Sequence, residues 1–142
     1  MILQTASEGV SLAKQLESDS ARFYEALAKE FPQGAETFLA LAKENKKNVA
    51  TIERAYYGVI TDAIEGCYAF HLDPDKYGLQ LALEPGTTYG NALAQAVKIE
   101  EQIIRFYTDA AEQAQSLMAD VPRTFALIAR KRGERLTKLK AA

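Results

Sequence analysis

Tryptophan is absent from this 142-residue chain, and cysteine and histidine occur once each, as Cys67 and His71. Each scarcity excludes something. One cysteine cannot close a disulfide within the chain, and a lone thiol fits a reducing compartment, so a cytoplasmic protein is expected. One histidine limits the nitrogen ligands available to any metal. No apolar run is long enough to span a bilayer. The opening residues, MILQTASEG, lack the basic start and apolar stretch of a secretory leader. Positive charge is not in excess either: a net charge of -2 favours neither nucleic acid nor a membrane surface.

What is present is an internal echo. The stretch QLESDSARFYEALAKE, from Gln15, and the stretch KIEEQIIRFYTDAAEQ, from Lys98, follow one pattern. Slid by 83 positions, Ala13, Glu17, Arg22, Phe23, Tyr24 and Ala28 fall on Ala96, Glu100, Arg105, Phe106, Tyr107 and Ala111. Each copy sets an acid seven residues before a tyrosine, two turns along one helix face. The echo continues at a shift of 87, where Phe38 meets Phe125 and Ala42 meets Ala129.

The apolar spacing predicts four long helices in one domain spanning residues 1–142. Thr5 with Glu8 reads as a capping box before a helix from about Ser7 to Phe31, whose inward stripe holds Glu17, Ser20 and Tyr24. Pro32, Gln33 and Gly34 break it, and a break this short implies an antiparallel neighbour. The second helix starts near Ala35 and is expected to extend toward Ile64, with Phe38, Asn45, Asn48, Ile52 and Tyr56 inward. Residues 66–88 lose periodicity but stay apolar, so they are read as a crossover packed along the bundle, with a short turn of helix. Thr87 or Thr88 caps a third helix, to about Met118, with Glu100, Phe106 and Tyr107 inward. Asp120 is expected as the N-cap of the fourth, to about Lys140, with Phe125, Arg132, Arg135 and Leu139 on its stripe. Two short turns and one long connection, between helices 2 and 3, make an all-α ferritin-like four-helix bundle.

The doubled Glu-to-Tyr motif inside a Phe-Tyr pair resembles the rubrerythrin branch of the ferritin-like superfamily, from about Ser7 to Lys140. The resemblance implies a di-iron oxidoreductase or peroxidase ancestry, a homodimer built on helix faces, and Glu17 and Glu100 at the single-glutamate ligand positions. A dimetal centre in this topology also needs a Glu-x-x-His pair from each of the other two helices. Here those pairs read Asn45 with Asn48, and Arg132 with Arg135. Moving the register one residue either way restores neither pair.

Arginine stays protonated and offers no lone pair, and asparagine offers only a neutral carbonyl. Arg132 and Arg135 are therefore expected to replace the metal ions as counter-charges for Glu17 and Glu100, with Asn45 and Asn48 filling leftover hydrogen bonds. Tyr24 and Tyr107 would stand behind them as aromatic core residues whose hydroxyls a carboxylate satisfies. No catalytic residue and no cofactor is assigned, and the expected role is a non-enzymatic binding or interaction module. Two alternatives stay open. One is an iron-binding oxidoreductase or iron-handling protein using Glu17 and Glu100 with neighbours such as Glu101, Glu44 or Glu134. The other is a binder of a small anion or polar ligand in the bundle interior. Cys67 and His71, four apart, offer two donors toward zinc and read more simply as an ordinary pair. Arg130, Lys131, Arg132 and Arg135 form a basic run with acidic neighbours, which argues against nucleic acid.

Overall fold

The computed structural model describes residues 2–57, 68–114 and 120–141. Among them are four α-helices: α1 (Ala6–Glu30), α2 (Ala35–Tyr57), α3 (Tyr89–Gln113) and α4 (Asp120–Ala141). A two-stranded antiparallel sheet joins β1 (Leu3–Thr5) to β2 (Tyr68–Leu72). None of these helices is long and apolar enough to cross a membrane.

Local chemistry sets the helix ends. The Thr5 hydroxyl accepts from the Glu8 N–H at 3.1 Å, and the Glu8 carboxylate accepts from the Thr5 N–H at 3.0 Å. These reciprocal bonds satisfy two donors that the first turn would otherwise leave bare. Pro32–Gly34 forms a 3-10 turn, with proline where its missing N–H is harmless. Thr88 caps α3 by accepting from the Asn91 N–H at 3.1 Å. Asp120 lies inside the first turn of α4 rather than ahead of it, where its charge still suits the helix dipole.

Side-chain pairs fix the helix directions. Glu17 meets Asn48 while Lys14 meets Glu53, so α2 runs back along α1. Glu100 meets Arg132 while Tyr107 packs on Phe125, so α4 runs back along α3. Glu17 meets Tyr107 and Tyr24 meets Glu100, so α1 and α3 are also antiparallel. It follows that α2 and α3 point the same way. The helices pack mainly as two hairpins, α1 with α2 and α3 with α4, which meet through α1 against α3 and α2 against α4.

The sequence echo is visible in three dimensions. Phe23 and Tyr24 meet edge to face at 5.5 Å and 70°, and Phe106 and Tyr107 at 5.2 Å and 67°. Tyr24 then packs on Phe38 of its own hairpin at 6.2 Å, and Tyr107 on Phe125 of the other at 5.6 Å. Aromatic pairs in such offset geometries add about 0.5–1.5 kcal/mol each beyond the area they bury.

One expectation about the connection needs revision. Residues 68–72 are a strand, paired with residues ahead of α1 that carry no alternation long enough to announce it. The expected turn of helix is the 3-10 turn Pro74–Tyr77, and Tyr77 donates from its hydroxyl to Asp109 of α3 at 2.6 Å. The expected extensions of the second helix to Ile64 and of the third to Met118 fall on residues outside those described.

Gly9 is where the strand meets the bundle. A Cβ placed on Gly9 would lie 2.5 Å from the Phe70 ring, so the absent side chain is what admits that ring. Gly9→Ala is therefore expected to lower stability by about 1–3 kcal/mol, the usual cost of overpacking. This exceeds the gain of about 0.5–1 kcal/mol that alanine brings to a helix interior. Urea unfolding of the variant checks the sign.

Candidate functional site

Each helix sends polar side chains into one layer of the core. On α1, Glu17, Ser20 and Tyr24 share the face of Ala13 and Leu27, and all are buried. On α3, Glu100 and Tyr107 share the face of Ala96 and Ile103. On α2, Asn45 and Asn48 continue the stripe of Phe38 and Ile52. On α4, Arg132 and Arg135 continue the stripe of Phe125 and Ile128, and they are 0% and 4% exposed. The same spacing that buries the apolar residues of α4 thus carries two guanidinium groups inward.

Arg132 lies between the two glutamates. Its Nε and Nη2 donate to Glu17 Oε2 and Oε1 at 3.1 and 2.9 Å, a side-on fork matched to a carboxylate. Its Nη1 donates to Glu100 Oε1 at 2.6 Å, and Nη2 also donates to Asn45 Oδ1 at 3.0 Å. Glu17 accepts two further bonds, from the Tyr107 hydroxyl at 2.6 Å and from Asn48 Nδ2 at 3.0 Å. Glu100 accepts from the Tyr24 hydroxyl at 2.8 Å. Asn45 donates to the Ser20 hydroxyl at 2.9 Å. All eight residues singled out by pattern therefore meet in one network, and Ser20 joins it.

Magnitudes explain why so many partners are needed. A buried ion loses several kcal/mol of hydration. A hydrogen bond to a charged group returns about 1.5–3 kcal/mol. Glu17, with four such bonds, is compensated; with one it would not be. Burial opposes the charge of Arg132, and Glu100 and Glu17 outweigh it, holding its pKa above that of an ordinary arginine. Burial, then the charge of Glu100, pushes the Tyr24 hydroxyl well above its usual pKa. Burial, then the charge of Glu17, does the same to Tyr107.

Arg135 is held less completely. Its Nη1 donates to Asn45 Oδ1 at 2.7 Å and lies 3.5 Å from Glu100 Oε2. Its Nη2 is 3.2 Å from Glu44 Oε1, within ion-pair distance but not aligned as a hydrogen bond, and its Nε has no partner. Glu44 was not placed on the inward stripe. It sits one residue before Asn45, and its long side chain, 43% exposed, reaches the guanidinium from the rim.

The donor set does not fit a pair of divalent ions. The space between Glu17 and Glu100 is taken by a guanidinium whose N–H groups occupy carboxylate oxygens of both. Glu101 and Glu134, weighed as substitute ligands, are exposed. Among the described residues no three histidine, cysteine or acidic side chains gather as a metal site. His71 is exposed, with its backbone bonded to the Gln113 side chain, and Cys67 lies outside the described residues.

The geometry breaks the sequence echo in one respect. Glu17 and Glu100 are equivalent, as are Tyr24 and Tyr107, but Asn45 corresponds to Arg132 and Asn48 to Arg135. Both positive charges come from the second hairpin, and they balance one acid from each. Comparison with protein-family models, with curated proteins and with solved structures finds no match to this chain.

Proposed function

We propose that this chain is a rubrerythrin-like, ferritin-like bundle in which an internal ion-pair network stands where relatives hold two metal ions, and that it works as a non-enzymatic binding or interaction module. One observation carries the reading: the Arg132 guanidinium, 0% exposed, bridges Glu17 and Glu100. The common direction of α2 and α3 supports the single-crossover topology, since parallel helices need a long connection between them. The doubled Glu-to-Tyr motif supports the ancestry. Two carboxylates and two guanidinium groups sum to no formal charge, so an added divalent ion would find no net negative charge to hold it and would be repelled by the guanidinium groups.

Metal analysis of the protein purified after growth with iron tests this reading. Iron well below one atom per chain is the expected result. Stoichiometric iron with the visible absorption of an oxo-bridged pair would overturn it.

A further inference from the structure

Arg132 and Arg135 use their guanidinium edges differently. Arg132 grips Glu17 with its Nε–Nη2 edge. The same edge of Arg135 makes no hydrogen bond, although the residue is only 4% exposed. A buried donor edge without an aligned acceptor is costly and uncommon in folded proteins. Arg135 also forms part of the wall of a groove of about 820 Å3 between α2 and α4, within the size range of small-ligand sites.

The groove is amphipathic along its length. Phe38, Leu41, Tyr89, Leu93 and Leu139 line it toward the start of α2 and the end of α4. Lys47, Arg54 and Lys131 line it farther along α2, with Arg135 and Lys138 between. Against these five basic side chains stand two acidic ones, Glu44 and Glu134, so a chain of net charge -2 presents a locally positive cleft. Arginine's side-on edge matches a carboxylate in two parallel bonds. Glu44 already brings a carboxylate to within 3.2 Å of Arg135 Nη2, from a side chain exposed enough to be displaced.

We propose that the groove between α2 and α4 binds a small amphipathic carboxylate, its head on the Nε–Nη2 edge of Arg135 and its apolar body along Phe38, Leu41 and Leu139. The head replaces Glu44 and satisfies donors that Glu44 leaves unaligned. Lys131 and Lys138, one turn to either side of Arg135, supply attraction without a fixed contact. The inference extends the binding-module reading and rests on it for the protein's role alone, since the head uses Arg135 donors that the network leaves without a hydrogen bond and the Arg132 bridge takes no part in it.

Calorimetric titration with decanoate tests it, with decanol as the uncharged analogue and iron analysis run on the same preparation. One saturable decanoate site per chain, with decanol binding far more weakly, is expected. Glu44→Gln is expected to tighten decanoate binding by removing the competing carboxylate. Lys131→Glu combined with Lys138→Glu is expected to weaken it about tenfold, as two rim charges allow. Lys43→Glu, off the groove, serves as the control and leaves it unchanged. The proposal is overturned by any of three results: no saturable decanoate binding, equal binding of decanol, or decanoate affinity indifferent to the Glu44 and lysine changes. It is also overturned if the chain sediments as a dimer that Leu41→Glu converts to monomer, because the groove then belongs to a second copy. Iron bound in stoichiometric amount alongside normal decanoate binding would sink the metal-free reading and leave this one standing.

Discussion

Arg132→Ala is expected to destabilise the protein by on the order of 3–5 kcal/mol, the cost of stranding buried charge. Glu17 would lose its fork and Glu100 its 2.6 Å bond, while burial of both carboxylates stays the same. A surface arginine would give less than about 0.5 kcal/mol, so denaturant unfolding separates the two cases clearly. The variant also opens a gap between two acids and the Asn45 carbonyl, oxygen donors that suit a hard cation. Added Mn2+ is expected to raise the melting temperature of Arg132→Ala and not that of the parent, because a ligand stabilises only the state that binds it. Converting Glu17 and Glu100 to Gln alongside Arg132→Met should recover most of the loss, since an ion cluster replaced whole costs far less than one broken. If all three forms unfold at the same denaturant concentration, the buried bridge does not exist in solution.

Alkali is expected to unfold the protein cooperatively, with the buried tyrosines ionising only as the helices are lost. The sign follows from the direction of the shifts. An unfolded tyrosine releases its proton near pH 10. Tyr24 and Tyr107 hold theirs to higher pH when folded, because burial and a neighbouring carboxylate both disfavour the phenolate. Above about pH 10 the unfolded chain therefore binds fewer protons than the native one, and stability falls as pH rises. Below that pH both states are protonated and the contribution is fully present. Tyrosinate absorbance and helical circular dichroism, followed together, check this: ionisation of the two buried hydroxyls coincides with helix loss. Complete ionisation with the helices intact would show that the two hydroxyls are open to solvent. Tyr24→Phe with Tyr107→Phe removes the two buried hydroxyls of the network and should move the alkaline transition upward, even though neutral stability drops from two lost hydrogen bonds.

The parts of this structure that sequence reveals are those set by periodicity. Glu17, Tyr24, Glu100 and Tyr107 were legible because a repeated motif on a regular helix leaves one choice of face. Asn45, Asn48, Arg132 and Arg135 followed by counting from Phe38 and Phe125. The pairing of β1 with β2 was not legible, because three residues that end at the capping threonine carry no pattern that separates a strand from a lead-in. The role of Gly9 depends on where the Phe70 ring lands, which is a tertiary fact. Glu44 could be named as a neighbour of the two acids, but its approach to Arg135 was hidden by a long side chain that lets a residue off the inward face reach a buried partner. The spare edge of Arg135 was hidden for a related reason: composition names the guanidinium, but only side-chain geometry shows which of its N–H groups are taken.

The hydroxyl of Tyr24 serves Glu100, and that of Tyr107 serves Glu17. Each hairpin thus keeps the proton donor that the other hairpin's acid requires. Apart, the first hairpin would bury Glu17 with no counter-charge and the second would hold two guanidinium groups against one acid, so separation of the two is penalised from both sides at once. Opening of the interior in native conditions is for that reason expected as a single whole-molecule event, and amide hydrogens on the inner faces of α1 and α3 should report one common opening free energy.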